Sequence, residues 1–590
     1  MVASAHKART TTLMQLVLVC LLWLCDIAAS HAEVTISGVD AKIRNNILAY
    51  LRLDEETCDS PDWRVRRLFT DAETEIRQAL EVVGYYNAGI EKTLEEKTLE
   101  MGDTCWLANF FIMPGQPVVL RNVSLKIDTG GVQDSELENV LQQCALNPGD
   151  VLQHANYEAC RRRITRTAAG RGYFAAKFTE RRIDVYPDEY AADIILHFFA
   201  GRRYVFGDIT FDQAVLDPDL VERFVRITPG EPYDADLVRK IQRDLVSSAY
   251  FDQVLFKRTP RGEPHFDVPI HIELTPGKKM QYNAGVGFAT DVGPKLRFGV
   301  LNRRVNNAGH QAEFEVNWSK VISDVGVTYR IPLDKPKDWF TIDTGYKIED
   351  NDSFESDLFT TGVQRIQKRD NGWIRTLFLD LRLEEYATSE IDKDRSKLLT
   401  PGIGYAFVEE DYPPRPLLGH RSSAQLRGAV EGLISDTSFA QVYGNTKWVF
   451  GLWSGGRLLT RAEAGFTLID ELDTLPASVR FFAGGDTSVR GYAYKSLGPT
   501  DPFGNVVGGE NLLVGSVEID QLVADDWSVA AFIDSGNAYD YLRDFDTATG
   551  VGLGVRWISP LGPIRFDVAI PLEKDAPDDY RIHITLGPDL

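Results

Sequence analysis

The chain has 590 residues and a formal net charge of −22. That length allows several domains, and the acidic balance excludes the basic footprint expected of a nucleic-acid-binding protein. It does not exclude a membrane barrel, whose lipid-facing band is uncharged whatever the rest of the chain carries.

In chain order, the first element is a secretory signal. Lys7 and Arg9 precede an apolar run over 13–25, too short to cross a bilayer as a helix. Ser30 and Ala32 are the small residues that favour cleavage before Glu33, so 1–32 is expected to be a signal peptide. Cys20 and Cys25 leave with it. Cys58, Cys105, Cys144 and Cys160 remain, and an even count in an exported chain implies disulfides. Four cysteines allow three pairings. The local one, Cys58–Cys105 with Cys144–Cys160, is expected because each bond then falls inside one repeat.

Residues 33–275 repeat internally. Gly84-Tyr85-Tyr86, Gly172-Tyr173-Phe174 and Ala249-Tyr250-Phe251 each end a charged, helix-like run and enter a strand. Pro114-Gly115, Ala200-Gly201 and Pro276-Gly277 close the three units. Asn147-Pro148-Gly149 and Thr228-Pro229-Gly230 recur before the last helix of the second and third. Registered markers of this kind predict a tandem array, with modules at 33–116, 117–200 and 201–275. Each reads strand, helix, helix, strand, strand. In the third, strands are predicted over 204–211, 251–258 and 268–274, and helices over 219–226 and 236–248. Two helices covering one face of a small sheet make an α+β layer.

Residues 276–590 change to alternation of period two. Arg565, Asp567 and Ala569 alternate with Ile564, Phe566, Val568 and Ile570, and Arg581 and His583 with Ile582 and Ile584. After residue 33 no apolar stretch is long enough for a spanning helix, so a membrane protein here must be a closed barrel. About 16 segments of roughly 9–11 residues fit a tilted transmembrane barrel. Trp318, Trp339, Trp373, Trp448 and Trp557 near segment ends fit interfacial girdles.

Catalytic signatures are missing. There is no G-x-S-x-G, H-E-x-x-H or Walker loop. The pairs Gly285/Gly287, Gly402/Gly404 and Gly552/Gly554 lie in strands, and no histidine has ligand spacing. Glu384-Glu385 and Glu409-Glu410 read as solvated pairs. The expectation is no enzyme, no cofactor and no metal.

The loop that stands out runs from Phe481-Phe482-Ala483-Gly484-Gly485-Asp486 into Ser488-Val489-Arg490-Gly491-Tyr492-Ala493. Its Arg-Gly-Tyr is not unique, since Arg171-Gly172-Tyr173 repeats it. Further on, Asp534 shares a strand face with Ala530 and Phe532, opposite Val529, Ala531 and Ile533. If those three face lipid, Asp534 faces the lumen, where Arg490 is its natural partner. An external loop with an unpaired arginine is the other reading.

Three modules, a barrel, and Gly484-Gly485 before Val489-Arg490-Gly491-Tyr492 resemble the barrel-assembly superfamily of the bacterial outer membrane. Its members carry periplasmic POTRA domains before a 16-stranded barrel, and their sixth extracellular loop folds into the lumen. The module count and the ending Leu586-Gly587-Pro588-Asp589-Leu590 resemble TamA-type members, outer-membrane subunits of translocation and assembly modules. BamA-type members are similar but have five POTRA domains. Many outer-membrane proteins end on an aromatic residue, and this chain ends on Leu590.

The resemblance implies that Arg490 is the lumen-inserted arginine and Asp534 its acceptor on the thirteenth barrel strand. It implies insertion of outer-membrane client proteins, notably autotransporters, with a TamB-like inner-membrane-anchored partner docking on the POTRA domains. The first barrel strand, 281–288, must pair with the last, 580–586. Gly285 and Gly287 on one side, Ile584, Gly587 and Pro588 on the other, make this the expected lateral seam. Phospholipid transport with the same partner, and a two-partner-type secretion pore, are the alternative functions.

Overall fold

The computed structural model describes residues 33–98, 104–131, 134–388, 393–411, 415–432, 434–559, 562–573 and 579–587. The signal segment 1–32 and Pro588-Asp589-Leu590 lie outside the described residues. The chain divides into two compact units, and the cut passes through the third module.

The first module runs β1 (Glu33–Ser37), α1 (Ala41–Tyr50), α2 (Asp62–Glu81), β2 (Gly89–Thr98), β3 (Thr104–Met113). The second runs β4 (Val119–Asp128), α3 (Ser135–Gln142), α4 (His154–Gly170), β5 (Lys177–Tyr186), β6 (Ala191–Phe199). The third runs β7 (Val205–Asp212), α5 (Pro218–Glu222), α6 (Ala235–Ser247), β8 (Phe251–Arg258), β9 (Asp267–Pro276). In each sheet the last strand is central, as in the order β1-β3-β2.

Helical spacing explains the first core. Val65, Leu68, Ala72, Ile76 and Ala79 recur every three or four residues on α2 and pack on Ala108, Phe110 and Ile112 of β3. Asp40 caps α1 by accepting the Ile43 amide, and Asp134 caps α3 by accepting the Leu137 amide.

The markers occupy equivalent joints. Gly84, Gly172 and Ala249 are all left-handed, with φ of +98°, +88° and +63°. The Gly84 carbonyl accepts the Val118 amide, and that of Gly172 accepts the Tyr204 amide. Gly149 and Gly230 share a left-handed φ, and their amides donate to Leu120 and Phe206 across equal 2.7 Å bonds. Both disulfides form inside single modules, Cys58–Cys105 and Cys144–Cys160.

One prediction is trimmed. The helix predicted over 219–226 ends at Glu222. The Phe224 and Val225 amides donate three residues back, to Val221 and Glu222, which tightens the end of the helix into turns.

The barrel strands follow in chain order: β10 (Met280–Ala289), β11 (Gly293–Asn302), β12 (Gln311–Trp318), β13 (Ile322–Pro332), β14 (Asp338–Asp350), β15 (Glu355–Lys368), β16 (Ile374–Ala387) and β17 (Asp394–Glu410). Then come β18 (Leu418–Ala429), β19 (Phe439–Trp453), β20 (Gly456–Ile469), β21 (Asn511–Ala524), β22 (Trp527–Tyr539), β23 (Ala548–Ser559), β24 (Gly562–Pro571) and β25 (Arg581–Leu586). Each pairs antiparallel with the next, and the sheet closes as a barrel. No described helix is long and apolar enough to cross a membrane.

Alternation decides the faces. On β22, Val529 and Ile533 are exposed outward, while Ala530, Phe532 and Asp534 are buried inside. A contiguous apolar outer face over buried charges is the pattern of a lipid-embedded barrel. The ends of the strands nearest the module-side turns carry a ring of aromatics. Trp373, Phe407, His420, Trp448 and Phe450 pack in sequence across β16 to β19, and Trp527 stacks near Trp557. Trp339 begins β14 at the same end.

Candidate functional site: the sixth loop and the barrel seam

The loop between β20 and β21 returns into the barrel lumen. Arg490 is its centre. Its Nε and Nη2 lie 2.7 and 3.0 Å from the two carboxylate oxygens of Asp534, and its amide donates to the same carboxylate at 3.1 Å. Nη1 donates to Glu518 on β21 at 2.8 Å and to Asp567 on β24 at 3.1 Å. The guanidinium also covers the Phe532 ring at 3.4 Å.

Arg556 of β23 completes the network. It donates to Glu518 at 3.0 Å and to Asp567. Arg461 of β20 donates to the Ser488 carbonyl. Two arginines, Arg490 and Arg556, therefore meet three carboxylates, Asp534, Glu518 and Asp567. Arg490 and Asp534 are together, as the sequence pattern implied. Glu518, Asp567 and Arg556 were not singled out, although alternation places Asp567 on the polar face of its segment.

The loop needs space as well as charge. Gly491 has φ +102°, and its backbone lies against Pro571. The inward face of β23 is Gly550, Gly552 and Gly554. A Cβ on Gly550 would come within 1.8 Å of the Arg490 carbonyl oxygen. On Gly554 it would strike the Asp567 carboxylate, at 1.8 Å. This period-two glycine row forms the seat for the loop backbone and its ion pairs. The signal was present in the sequence as Gly552/Gly554, read there only as a glycine pair within a strand.

Other motif residues pack on the wall. Phe481 fills the space left by Gly465, and Phe482 lies 5.2 Å from Phe354. Lys495 donates to Glu349 at 2.6 Å. Glu384, expected to be solvated, is buried instead. It accepts from Ser356, and from the hydroxyl and amide of Ser478 in the loop. Alternation along β16 turns Glu384 inward, which a pairwise reading of Glu384-Glu385 misses.

The seam is thin. β10 and β25 share one registered pair, Ala289↔Thr585, whereas the neighbouring β24 and β25 share six. Thr290 and Ile584 add two bonds, of 3.2 and 2.6 Å. The first strand does pair with the last, as expected, but the registered pair sits at Ala289, the last residue of β10, and none is registered for 281–288. Gly285 and Gly287 oppose Arg297 and Lys295 on β11, and no β25 partner is registered for them. Thr585, second from the end of β25, stands opposite Ala289, the last residue of β10, so the two strands overlap only at their ends. Gly587 instead donates its amide to the Pro563 carbonyl.

The loop also bridges this seam. The Asp486 carboxylate accepts the Asp291 amide at 3.2 Å, and the Asp486 amide donates to Asp291 in return. Asp291 lies in the turn after β10. On the other side, Asp486 meets Nδ1 of His583 on β25, whose Nε2 accepts the Gly491 amide at 2.9 Å. That bond makes Nδ1 the protonated nitrogen, so a proton already occupies the position a metal ion would need. Burial, with the nearby Asp486 charge, pushes the Asp291 carboxyl up to about 6.

A closed sixteen-stranded barrel with an inserted loop, following three α+β modules, defines an outer-membrane barrel protein with periplasmic modules. The Omp85 superfamily domain matches residues 297–589, and the first POTRA domain of the TamA type matches 33–114. The chain belongs to the Omp85 family of POTRA-plus-barrel proteins.

It is 22% identical to the outer membrane protein assembly factor BamA of Neisseria meningitidis over 543 residues, covering 79% of this chain and 66% of the relative. It is 24% identical to BamA of Nitratidesulfovibrio vulgaris over 376 residues, covering 60% of this chain and 47% of the relative. The chain thus spans about two thirds and about half of their lengths. The crystal structure of Haemophilus ducreyi BamA lacking POTRA domains 1–3 has the same fold, with TM-score 0.63 at 18% identity. It covers 80% of this chain and 99% of that one.

Proposed function

We propose that this protein is the outer-membrane subunit of a translocation and assembly module, inserting β-barrel clients such as autotransporters through its seam. The observation that carries this reading is the single registered pair between β10 and β25. Along most of β10 the outer edge has no registered partner among the described residues, and an unpaired edge is a template for an incoming strand. The sixth loop, held by Arg490 and tied to both seam strands through Asp486, keeps the barrel shape while that edge is offered. A loop packed among β14, β16 and β20 to β25 also argues against a freely open secretion pore. The three modules would receive a TamB-like periplasmic partner by strand addition.

Ala289 and Thr585 stand directly opposite, and the double variant Ala289→Cys, Thr585→Cys tests the reading. Oxidised, this pair is expected to abolish client insertion while the barrel stays folded, and reduction is expected to restore it. Full activity in the oxidised state would refute insertion through the seam.

A further inference from the structure

The second compact unit holds a cationic cleft in an otherwise acidic chain. It lies between the third module and the turns joining β13 to β14 and β15 to β16. Its volume is about 720 Å³, within the range of small-ligand sites. Eight lining residues are Lys or Arg and three are Asp, although acidic residues outnumber basic ones 86 to 64 in the chain as a whole.

The three carboxylates are already engaged. Asp370 pairs with Lys240 at 2.9 Å, Asp244 with Lys337 at 2.5 Å, and Asp338 with Arg365 at 2.9 Å. Arg226, Arg243, Lys335, Lys368 and Arg369 make no ion pair among the described residues. Arg226 and Lys335 still feel Asp370 and Asp338, but cations outnumber carboxylates in the lining, and that excess of positive charge favours a bound anion.

The position says which anion. Both turns are periplasmic, since β10 follows the modules and the hairpins alternate from there. Trp339 lies two residues beyond Lys337, and Trp373 lies within the β15–β16 turn beside Gly372 and Arg375. Tryptophans of such a belt sit at headgroup level, and juxtamembrane clusters of four to eight Lys or Arg recognise anionic headgroups. We propose that this cleft binds the phosphate headgroup of an anionic phospholipid from the periplasmic leaflet. Phe224, Leu237 and Ile241 supply an apolar wall beside the cations for the glycerol end of such a lipid.

The test uses the full chain in neutral detergent, titrated with short-chain phosphatidylglycerol and read by native mass spectrometry. The triple variant Arg243→Gln, Lys335→Gln, Arg369→Gln is expected to bind roughly a hundredfold more weakly, at about fivefold per charge. The double variant Arg243→Lys, Arg369→Lys is expected to retain binding. Heat-modifiable gel mobility checks that each variant barrel is folded. Millimolar inorganic phosphate is expected to leave lipid binding unchanged. Unaltered affinity in the glutamine variant would overturn the proposal. So would displacement by phosphate, which marks a free-anion site, or displacement by an acidic peptide, which marks a protein-docking site.

Discussion

The chain uses Arg-Gly-Tyr twice, and the two copies share a local design. Arg490 and Arg171 each turn back onto a buried aspartate, at 2.7 Å to Asp534 and 2.8 Å to Asp134. The glycines are left-handed in both, at +102° and +88°, and Tyr492 and Tyr173 are both buried. The difference lies in what the aspartate is attached to. Asp134 caps α3 inside one module, where the Leu137 amide and the Tyr173 hydroxyl also reach it. Burial raises its carboxyl, but Arg171 and these donors hold it below the ordinary carboxylate range. Arg490 instead joins a loop to carboxylates on β21, β22 and β24. The tripeptide is thus a turn that aims an arginine, and the carboxylates it finds decide whether it stabilises one helix end or a whole barrel.

The sharpest way to break this comparison is to remove both arginines in turn. Arg490→Ala strands Asp534, Glu518 and Asp567, with Arg556 and Arg461 left to balance them. A loss of about 3–5 kcal/mol or failure to fold is expected, because one partner of a buried pair is deleted. Arg171→Ala leaves Asp134 its amide and hydroxyl donors, with Arg203 3.6 Å away, and is expected to cost about 1–2 kcal/mol. Heat-modifiable mobility reads the barrel, and hydrogen exchange over 134–142 reads the module. Equal effects on barrel stability would end the distinction.

Space gives the next effect. Gly550→Ala places a Cβ on the Arg490 carbonyl, and a loss of about 2–4 kcal/mol with expulsion of the loop is expected. Gly515→Ala on β21 meets nothing within 4 Å and should change stability by less than about 0.5 kcal/mol. Protease cleavage within 484–493, measured in both variants, separates loop release from general destabilisation.

Much of this was legible because barrels and repeats are periodic. Period-two alternation carried the strand faces, so the lumenal side of Asp534 followed from Val529, Ala531 and Ile533 facing out. Registered Gly-Tyr and Pro-Gly markers carried the modules, and the module boundaries in turn suggested the local disulfide pairs. What was not legible was non-local. Glu518 and Asp567 become partners of Arg490 only once barrel closure brings β21, β22 and β24 around the loop. Glu384 read as solvated because its inward face is set by strand phase, and its partner Ser478 lies 94 residues away. How far the seam pairing extends was not legible for a similar reason. Alternation shows that β10 and β25 are strands, but nothing local fixes how far a short last strand extends along the first.

A smaller effect tests the module copy. Gly172→Ala forces a left-handed φ on a side chain, and its Cβ would sit 2.8 Å from that of Tyr233. A cost of about 1–2 kcal/mol is expected. Ala249 holds the equivalent position in the third module at φ +63°. Ala249→Gly should therefore relieve strain and stabilise by a few tenths of a kcal/mol to about 1 kcal/mol. Hydrogen exchange at the two joints measures both. If Gly172→Ala were silent, the joints would not be equivalent.

The last test concerns the clamp that joins the sixth loop to the seam, which has no counterpart at Arg171. The Asp291 carboxyl titrates near 6 in the folded chain, above its ordinary value of 3.8, because burial and the Asp486 charge disfavour its ionised form. Between those values the folded state holds a proton that the unfolded state has released, so stability falls as pH rises through this window. The cost is fully present above about pH 6 and disappears below about pH 4. It should amount to about 1–3 kcal/mol. Asp291→Asn keeps an oxygen to accept the Asp486 amide but cannot ionise. The variant is expected to match the wild type near pH 4 and to exceed it near pH 7 in the temperature of barrel unfolding. A pH profile unchanged by the substitution would show that the two carboxylates do not repel each other across the seam, and that the loop holds β10 by its backbone bonds alone.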